Sequence, residues 1–162
     1  MHRRRLLAPL AACTAIACAL GVTATGAATA DDDGRDLLRS GLVGSAPPAQ
    51  GGPTLFGVAP GGAPWVVDHN SSVRIGDDGR VDLKIRGLVL TSTGQNSPTI
   101  TTVTATVVCN GVPVALTGPA PIGLAGDARI RDRVRLPEPC LAPAVLVHPN
   151  STTSRYIAAN GS

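Results

Sequence analysis

Residues 73–86, with the sequence VRIGDDGRVDLKIR, predict two strands joined by a tight turn. Apolar and charged residues alternate on both sides of the Gly and Asp residues at 76–79, which is typical of strands with one buried and one wet face. We expect Val81, Leu83 and Ile85 to face a core and the intervening charged side chains to face water. The stretch therefore predicts an antiparallel β-hairpin.

Further patterns extend the hairpin to an all-β domain. The β-branched run at 98–109 is followed by Asn110-Gly111, a strong hairpin signal because both central positions of a type I′ turn have positive φ. Residues 128–136 alternate again. Seven to eight short strands with turn signals between them, and little that favours helix, predict an antiparallel β-sandwich of immunoglobulin-like architecture.

Two segments that precede this domain differ from it in composition. Residues 1–30 have a basic start, an apolar run and a small-residue ending, which predicts a secretory signal peptide cleaved before Asp31. Residues 31–63 are first polar and then rich in Gly and Pro, so we expect a flexible leader there. The β-sandwich domain is then expected over residues 64–162.

The export signal predicts a secreted protein but leaves two alternatives open. Residues 10–13, Leu-Ala-Ala-Cys, resemble a lipobox, so a lipoprotein anchored through Cys13 is a minor alternative. The arginines at 3–5 are compatible with both the Sec and the twin-arginine export routes. No later apolar stretch approaches about 18 residues, so we expect no transmembrane segment in the mature chain.

The cysteines of the mature chain predict one disulfide. Only Cys109 and Cys140 follow the signal, and an isolated pair in an oxidising compartment is most simply bonded. Closing a loop of about 32 residues would remove up to about 3.7 kcal/mol of unfolded-state entropy. The pair is thus expected to stabilise the domain substantially.

Charge and aromatic content argue against several partners. Residues 31–162 carry eleven basic and eleven acidic side chains, and a net charge of zero gives no field for nucleic acid or an anionic membrane. Phe56, Trp65 and Tyr156 are the only aromatic residues, which also argues against a groove for bases or sugars. We therefore expect no nucleic-acid partner.

An arginine row within residues 128–136 is the best candidate for a binding stripe. Its members are Arg129, Arg131, Arg133 and Arg135. Their two-residue spacing places them about 6.6–6.8 Å apart along a strand, where they could meet an acidic polymer. The favoured interpretation is a solvated face, because acidic residues are available to neutralise the row and charged strands discourage edge pairing. Those acidic residues are Asp82, Asp127, Asp132 and Glu138.

The sequence gives little support for catalysis or for a cofactor. His69 and His148 are the only histidines after the signal, and no G-x-S-x-G elbow or histidine-based zinc motif accompanies them. The acidic residues at 77–78 are explained by the hairpin turn, since the later ligands of a calcium loop are missing. We predict no catalytic residue, no metal and no cofactor.

Three strings resemble a group of small secreted actinobacterial proteins with no known activity. They are APWVVDHNSSVRIGDDGRVDLKIRGLVL, VTATVVCNGVPVAL and GDARIRDRVRLPEPCLAPAVLVHPN, with YIAANG near the end. The resemblance spans residues 64–161 and implies secretion from a high-GC Gram-positive bacterium. It implies no activity and no site residues.

These observations predict a secreted, non-catalytic β-sandwich that serves as a binding or structural module at or outside the cell envelope. An envelope component or another secreted protein would be its partner. The alternatives are a small secreted hydrolase and a protease inhibitor that presents the loop at 91–98, although Gly94 and its neighbours suggest a loop too flexible for inhibition.

Overall fold

The computed structural model describes residues 35–161, in which short β-strands make up the regular structure, with one 3-10 turn at Pro48–Gln50 and no α-helix. The strands are β1 (Asp36–Gly44), β2 (Ala59–Pro60), β3 (Trp65–Val66), β4 (Ser72–Gly76), β5 (Arg80–Ile85), β6 (Val89–Leu90), β7 (Thr102–Cys109), β8 (Val112–Leu116), β9 (Ala120–Pro121), β10 (Ala128–Arg133), β11 (Ala144–Pro149), β12 (Arg155–Tyr156) and β13 (Ala158–Gly161).

Nine strands form one antiparallel sheet. Its order is β10-β5-β4-β1-β13-β11-β7-β8, and β9 also pairs with β7. Two small pairs lie outside this sheet: β3 with β6 is antiparallel and β12 with β2 is parallel. The predicted all-β, antiparallel, sandwich-like class is confirmed, with the large sheet curled around the main core.

The hairpin that the sequence predicted at 73–86 is confirmed. β4 pairs with β5 so that Val73 lies opposite Leu83, and Val81, Leu83 and Ile85 are completely buried. The second hairpin has the expected turn, with φ of 55° at Asn110 and 78° at Gly111. Local alternation and turn chemistry thus placed four strands correctly.

The main core lies on the inner face of the curled sheet. Strand residues such as Ile75, Val107 and Val147 share it with Trp65, Leu88 and Ile122, which close the core from segments outside the main strands. Trp65 is the largest side chain in this core and is 7% exposed. Most inner residues of the long strands are apolar, so the outer residues set the chemistry of the other face.

The predicted flexible leader is corrected within residues 31–63. Residues 36–44 form β1, which pairs with β4 on one side and with β13 on the other. This strand joins two groups of strands that would otherwise lack a hydrogen-bonded connection, so the folded unit begins well before residue 64. The predicted signal peptide at 1–30, with Cys13 and the cleavage site, lies outside the described residues.

More strands are present than the seven to eight expected. Five of the thirteen strands contain only two residues, which is too short for alternation to reveal them. β1 was missed for another reason, because its sequence DLLRSGLVG is followed at once by a Pro- and Gly-rich segment.

The structure pairs Cys109 with Cys140 in the expected disulfide, with their Cα atoms 5.0 Å apart. The bond connects the end of β7 to the segment before β11, two neighbouring strands, and does not join two separate sheets. Asn110 reinforces the junction, because its side-chain amide donates to the Pro139 carbonyl and its side-chain oxygen accepts from the Leu141 N–H.

Candidate anion-binding face

Four neighbouring strands, β10, β5, β4 and β1, leave a charged surface on the outer side of the sheet. The register places Arg131 opposite Asp82, Asp82 opposite Arg74, and Arg74 opposite Arg39. Residues directly opposite one another in antiparallel strands project from the same face, so these side chains form one row across the sheet. We call the cationic surface the basic face; its members are Arg39, Arg74, Arg80, Lys84, Arg129, Arg131 and Arg133.

Three carboxylates on this face each lie between two arginines. The groups are Asp36 with Arg39 and Arg74, Asp78 with Arg80 and Arg133, and Asp82 with Arg129 and Arg131. The Arg133–Asp78 contact is 2.6 Å and the Arg131–Asp82 contact is 3.9 Å. Because each carboxylate serves two guanidinium groups, it orients both while neutralising only one charge.

The face therefore keeps a positive excess. Seven cations against three carboxylates leave four positive charges, although residues 31–162 are neutral as a whole. The remaining side chains of that span, four basic and eight acidic, carry the balancing negative charge. A local field needs only a local excess of charge, so the net charge of zero does not by itself decide whether an anion binds to this face. The expectation of no nucleic-acid partner stays a prediction.

The arginine row is shorter than the sequence suggested and is neutralised differently. β10 ends at Arg133, and Arg135 is exposed beyond it. Of the four acidic residues expected to neutralise the row, Asp82 is the one that forms ion pairs with it among residues 35–161. Asp127 pairs with Arg86 at 3.2 Å, and Asp132 accepts a hydrogen bond from the Gly118 N–H.

Asp78, a hairpin-turn residue, supplies the carboxylate that the prediction overlooked. Its pKa is lowered chiefly by a hydrogen bond from the Arg80 N–H, with smaller contributions from the charges of Arg133 and Arg80, while partial desolvation acts in the opposite direction. The carboxylate is thus held ionised in its place beside two arginines. The positive φ of 79° at Gly79 completes the turn, as expected for a hairpin.

Sequence reasoning missed Arg39, Arg74, Arg80 and Lys84 as neighbours of the arginine row. The alternation at 80–86 did place Lys84 towards water, but no spacing in the sequence indicates that β10 pairs with β5. Arg39 lay in the segment expected to be flexible. Finding the basic face from the sequence would have required knowing which distant strands pair with one another.

His148 is buried and hydrogen-bonded on both ring nitrogens. Nδ1 lies 2.7 Å from the Arg155 carbonyl oxygen and therefore donates, while Nε2 lies 2.8 Å from Thr106 Oγ1 and accepts from that hydroxyl. Burial lowers the pKa of His148, and the Arg155 carbonyl opposes this shift. The ring is therefore neutral at pH 7 and has a structural role between β11 and β7.

A hydroxyl bonded to an imidazole is also the start of a nucleophile–base pair, which the hydrolase alternative requires. Here the third group is a backbone carbonyl, and both Thr106 and His148 are buried, so no substrate reaches the hydroxyl. His69 is exposed, with Nδ1 3.4 Å from Asp68, and among residues 35–161 no hydroxyl is hydrogen-bonded to its ring. Neither histidine in this part of the chain therefore joins an exposed hydroxyl to a carboxylate.

The loop at 91–98 is better anchored than its composition suggested. Asn96 is buried, its N–H donates to the Leu124 carbonyl, and its side chain donates to the Ile100 carbonyl. In the exposed part of the loop, the N–H groups of Thr93 and Gly94 both donate to the Leu90 carbonyl, so the chain forms tight turns there. Strand-like recognition by a protease needs an extended segment, so this conformation does not favour the inhibitor alternative.

Within residues 35–161, no cluster of three or more His, Cys, Asp or Glu side chains could hold a metal ion. No helix in that part of the chain is both long and apolar enough to cross a membrane. The chain matches no family model, no curated protein sequence and no solved structure. The resemblance to secreted actinobacterial proteins therefore stays a prediction, and any function must be argued from the surface itself.

Proposed function

We propose that the protein is a secreted, non-catalytic binding module that acts at or outside the cell envelope and holds an acidic partner on its basic face. The secretion part rests on the signal-like pattern of residues 1–30 and on the Cys109–Cys140 pair. The binding part rests on one observation, the excess of cations on four adjacent strands.

The shared carboxylates favour binding over mere solubility. A solvated face needs only charges that repel other sheet edges, and it gains nothing from fixing their positions. Asp36, Asp78 and Asp82 instead hold six guanidinium groups in defined places, which lowers the entropy cost of meeting an anion. The arginine side chains remain about half or more exposed, as with Arg129 at 48% and Arg131 at 68%, so a partner can reach them.

A resin that carries an immobilised anionic polymer tests this function. We expect the wild-type protein to be retained at low salt and released as salt increases, because screening weakens contacts between exposed charges. Replacing Arg131 and Arg133 with serine should strongly weaken retention, so that the variant is released at lower salt, while leaving the fold intact, since exposed ion pairs contribute only about 0–1 kcal/mol each.

The matched control removes two positive charges elsewhere, Arg135→Ser with Arg155→Ser. That variant should be retained like the wild type, because neither residue belongs to the basic face. Elution of the wild type near the void at low salt would contradict the proposal. Equal losses in the two double variants would show that net charge, and not the face, controls retention.

A further inference from the structure

One end of the basic face contains a shallow depression of about 370 Å³. We call it the Ser72 depression; its lining includes Arg39, Ser72, Arg74, Asp82, Lys84 and Arg129. Its four cations come from four different strands, β1, β4, β5 and β10, and so surround the space from several directions.

Small side chains explain why a depression forms there. In the row that crosses the sheet at this point, Arg129 lies opposite Lys84, Lys84 opposite Ser72, and Ser72 opposite Gly41. Two long cations at one end are thus followed by a hydroxymethyl group and a glycine. The small side chains of Ser72 and Gly41 thus leave space beside the long side chains of Lys84 and Arg129. The Ser72 hydroxyl is available in this space as a further hydrogen-bond donor.

The charge balance suits a single anionic group. The lining carries four positive charges and one negative charge, that of Asp82, which binds Arg129 at 2.8 Å. Asp36, just outside, pairs with both Arg39 and Arg74, and Asp68 interacts electrostatically with Lys84, so the excess falls to between one and two charges. An incoming anion of one or two charges would therefore complete the local balance.

The arrangement of donors favours a tetrahedral oxyanion over a carboxylate. A carboxylate presents its acceptor directions in one plane and is satisfied by one guanidinium fork. A phosphate or sulfate ester has unesterified oxygens that point to several sides, which fits donors arriving from four strands. A second depression, of about 510 Å³, is lined by Arg80, Arg131 and Arg133 and also by the carboxylates of Asp82 and Asp132. Its three cations exceed its two carboxylates, so a chain with repeated anions could engage both depressions.

We propose that the Ser72 depression is a discrete seat for one phosphate or sulfate ester group of an acidic polymer, while the rest of the basic face holds the neighbouring groups. This inference rests on the proposed function and adds the chemical class of the ligand and the place where one group is bound. Arg39, Arg74, Lys84 and Arg129 supply the charge, and the Ser72 hydroxyl supplies a neutral donor.

The test titrates inorganic phosphate, and separately sulfate, into isotopically labelled protein expressed from the full-length sequence, with ionic strength held constant by chloride. We expect saturable shifts of the backbone amide signals of Ser72, Arg74 and Lys84. Ser72→Val keeps every charge but removes the hydroxyl and fills the floor with a side chain that strands accept. It should weaken anion binding at least tenfold.

Arg129→Ser and Arg135→Ser form a matched pair. Both remove one exposed arginine, but Arg129 lines the Ser72 depression, whereas Arg135 lies beyond β10 and outside the basic face. We expect at least tenfold weaker anion binding for Arg129→Ser and less than a twofold change for Arg135→Ser. Shifts that grow without saturation, or equal losses in the two variants, would overturn the seat.

Binding to polymers distinguishes a phosphate ligand from a sulfate ligand. It also separates failure of the Ser72 seat from failure of the proposed function. A poly(glycerol phosphate) resin, a dextran sulfate resin and a polyglutamate resin are compared with wild type and Ser72→Val. Preference for either of the first two, reduced in Ser72→Val, supports the seat and tells phosphate from sulfate. Preference for polyglutamate, whose anions are carboxylates, overturns the ligand class. Retention unchanged in Ser72→Val overturns the seat but leaves the proposed function standing, whereas no retention of the wild type on any resin removes that function itself.

Discussion

The outer side of the large sheet has two halves, one exposed to water and one covered by another segment of the chain. On β10, β5, β4 and β1 most of the outer side chains are charged, and the surface stays open to water. On β13, β11 and β7 they include Ala159, Leu146, His148 and Thr106, which are buried. We call the second surface the covered half, because Leu55, Val58 and Tyr156 lie over it.

The comparison shows that outer-face residues decide whether a strand is covered. Burying an ionised side chain costs several kcal/mol unless it is fully paired, so a Pro/Gly-rich segment gains nothing by lying over the basic face. Over the covered half the same segment buries apolar surface and finds hydrogen bonds. The Tyr156 hydroxyl donates to the Pro53 carbonyl, and the Gly61 N–H donates to the Tyr156 carbonyl, both at 2.7 Å.

The largest effect is expected from a cavity in the covered half. Leu146→Ala should lower the free energy of unfolding by about 2–5 kcal/mol, because Leu146 is completely buried between the sheet and the covering segment. Leu124→Ala is the matched control, since Leu124 is 54% exposed, and it should change stability by less than about 0.5 kcal/mol. Urea unfolding measures both, and similar values for the two variants would show that the segment does not cover Leu146.

Removing the disulfide tests the connection between the two halves of the sheet. The loop that it closes runs from β7 in the covered half through β10 on the basic face. Cys109→Ala should lower the free energy of unfolding by about 2–4 kcal/mol, while Arg131 and its neighbours keep their affinity for anions if the variant folds. Thiol labelling of the denatured wild type should find no free thiol from Cys109 or Cys140, and two labelled cysteines would refute the bond.

A smaller effect, which depends on pH, is expected from His148 in the covered half. Burial lowers its folded-state pKa below the ordinary 6.5, so the unfolded chain binds the proton more readily. Stability is therefore complete above about pH 6.5 and falls as pH decreases below it, by at most about 1.4 kcal/mol per pH unit. The lowered pKa of Asp78 acts in a separate window, at pH values below its ordinary 3.8.

Comparing urea midpoints at pH 7 and pH 5 for wild type, His148→Gln and His69→Gln isolates this contribution. The decrease between the two pH values should be similar in wild type and in His69→Gln, whose ring is exposed, and smaller in His148→Gln. An equal decrease in all three proteins would mean that His148 does not titrate as its burial requires.

Local patterns predicted those parts of the fold that local chemistry controls. The turn at Asn110-Gly111 needs positive φ at both residues, and alternation in β5 directly reports its buried face. β1 could not be found this way, because its place depends on β4 and β13, which offer it backbone partners from distant parts of the chain. The close approach of Gly44 to Trp65, where a Cβ would collide with the Trp65 backbone oxygen, is likewise a tertiary constraint.

The same limit applies to the candidate site. Arg129, Arg131 and Arg133 were singled out because their spacing along one strand is visible in the sequence. Their importance depends on Lys84, Arg74 and other cations that strand pairing brings alongside, and on carboxylates shared between two arginines. Summed charge also concealed the face, because the eleven basic and eleven acidic residues of 31–162 cancel in the sum whatever surface each one occupies.

The salt dependence of binding to soluble poly(glycerol phosphate) tests the central claim most directly. A polymer held on the basic face releases counterions, so the logarithm of the binding constant should fall linearly with the logarithm of salt concentration. The slope expected for a single-stranded polyanion is about −0.7 for each anion that the protein neutralises. Arg131→Ser with Arg133→Ser should reduce the magnitude of that slope by about 1–2, whereas Arg135→Ser with Arg155→Ser should leave it unchanged. A slope near zero for the wild type, or one that the first double variant does not alter, would contradict the account.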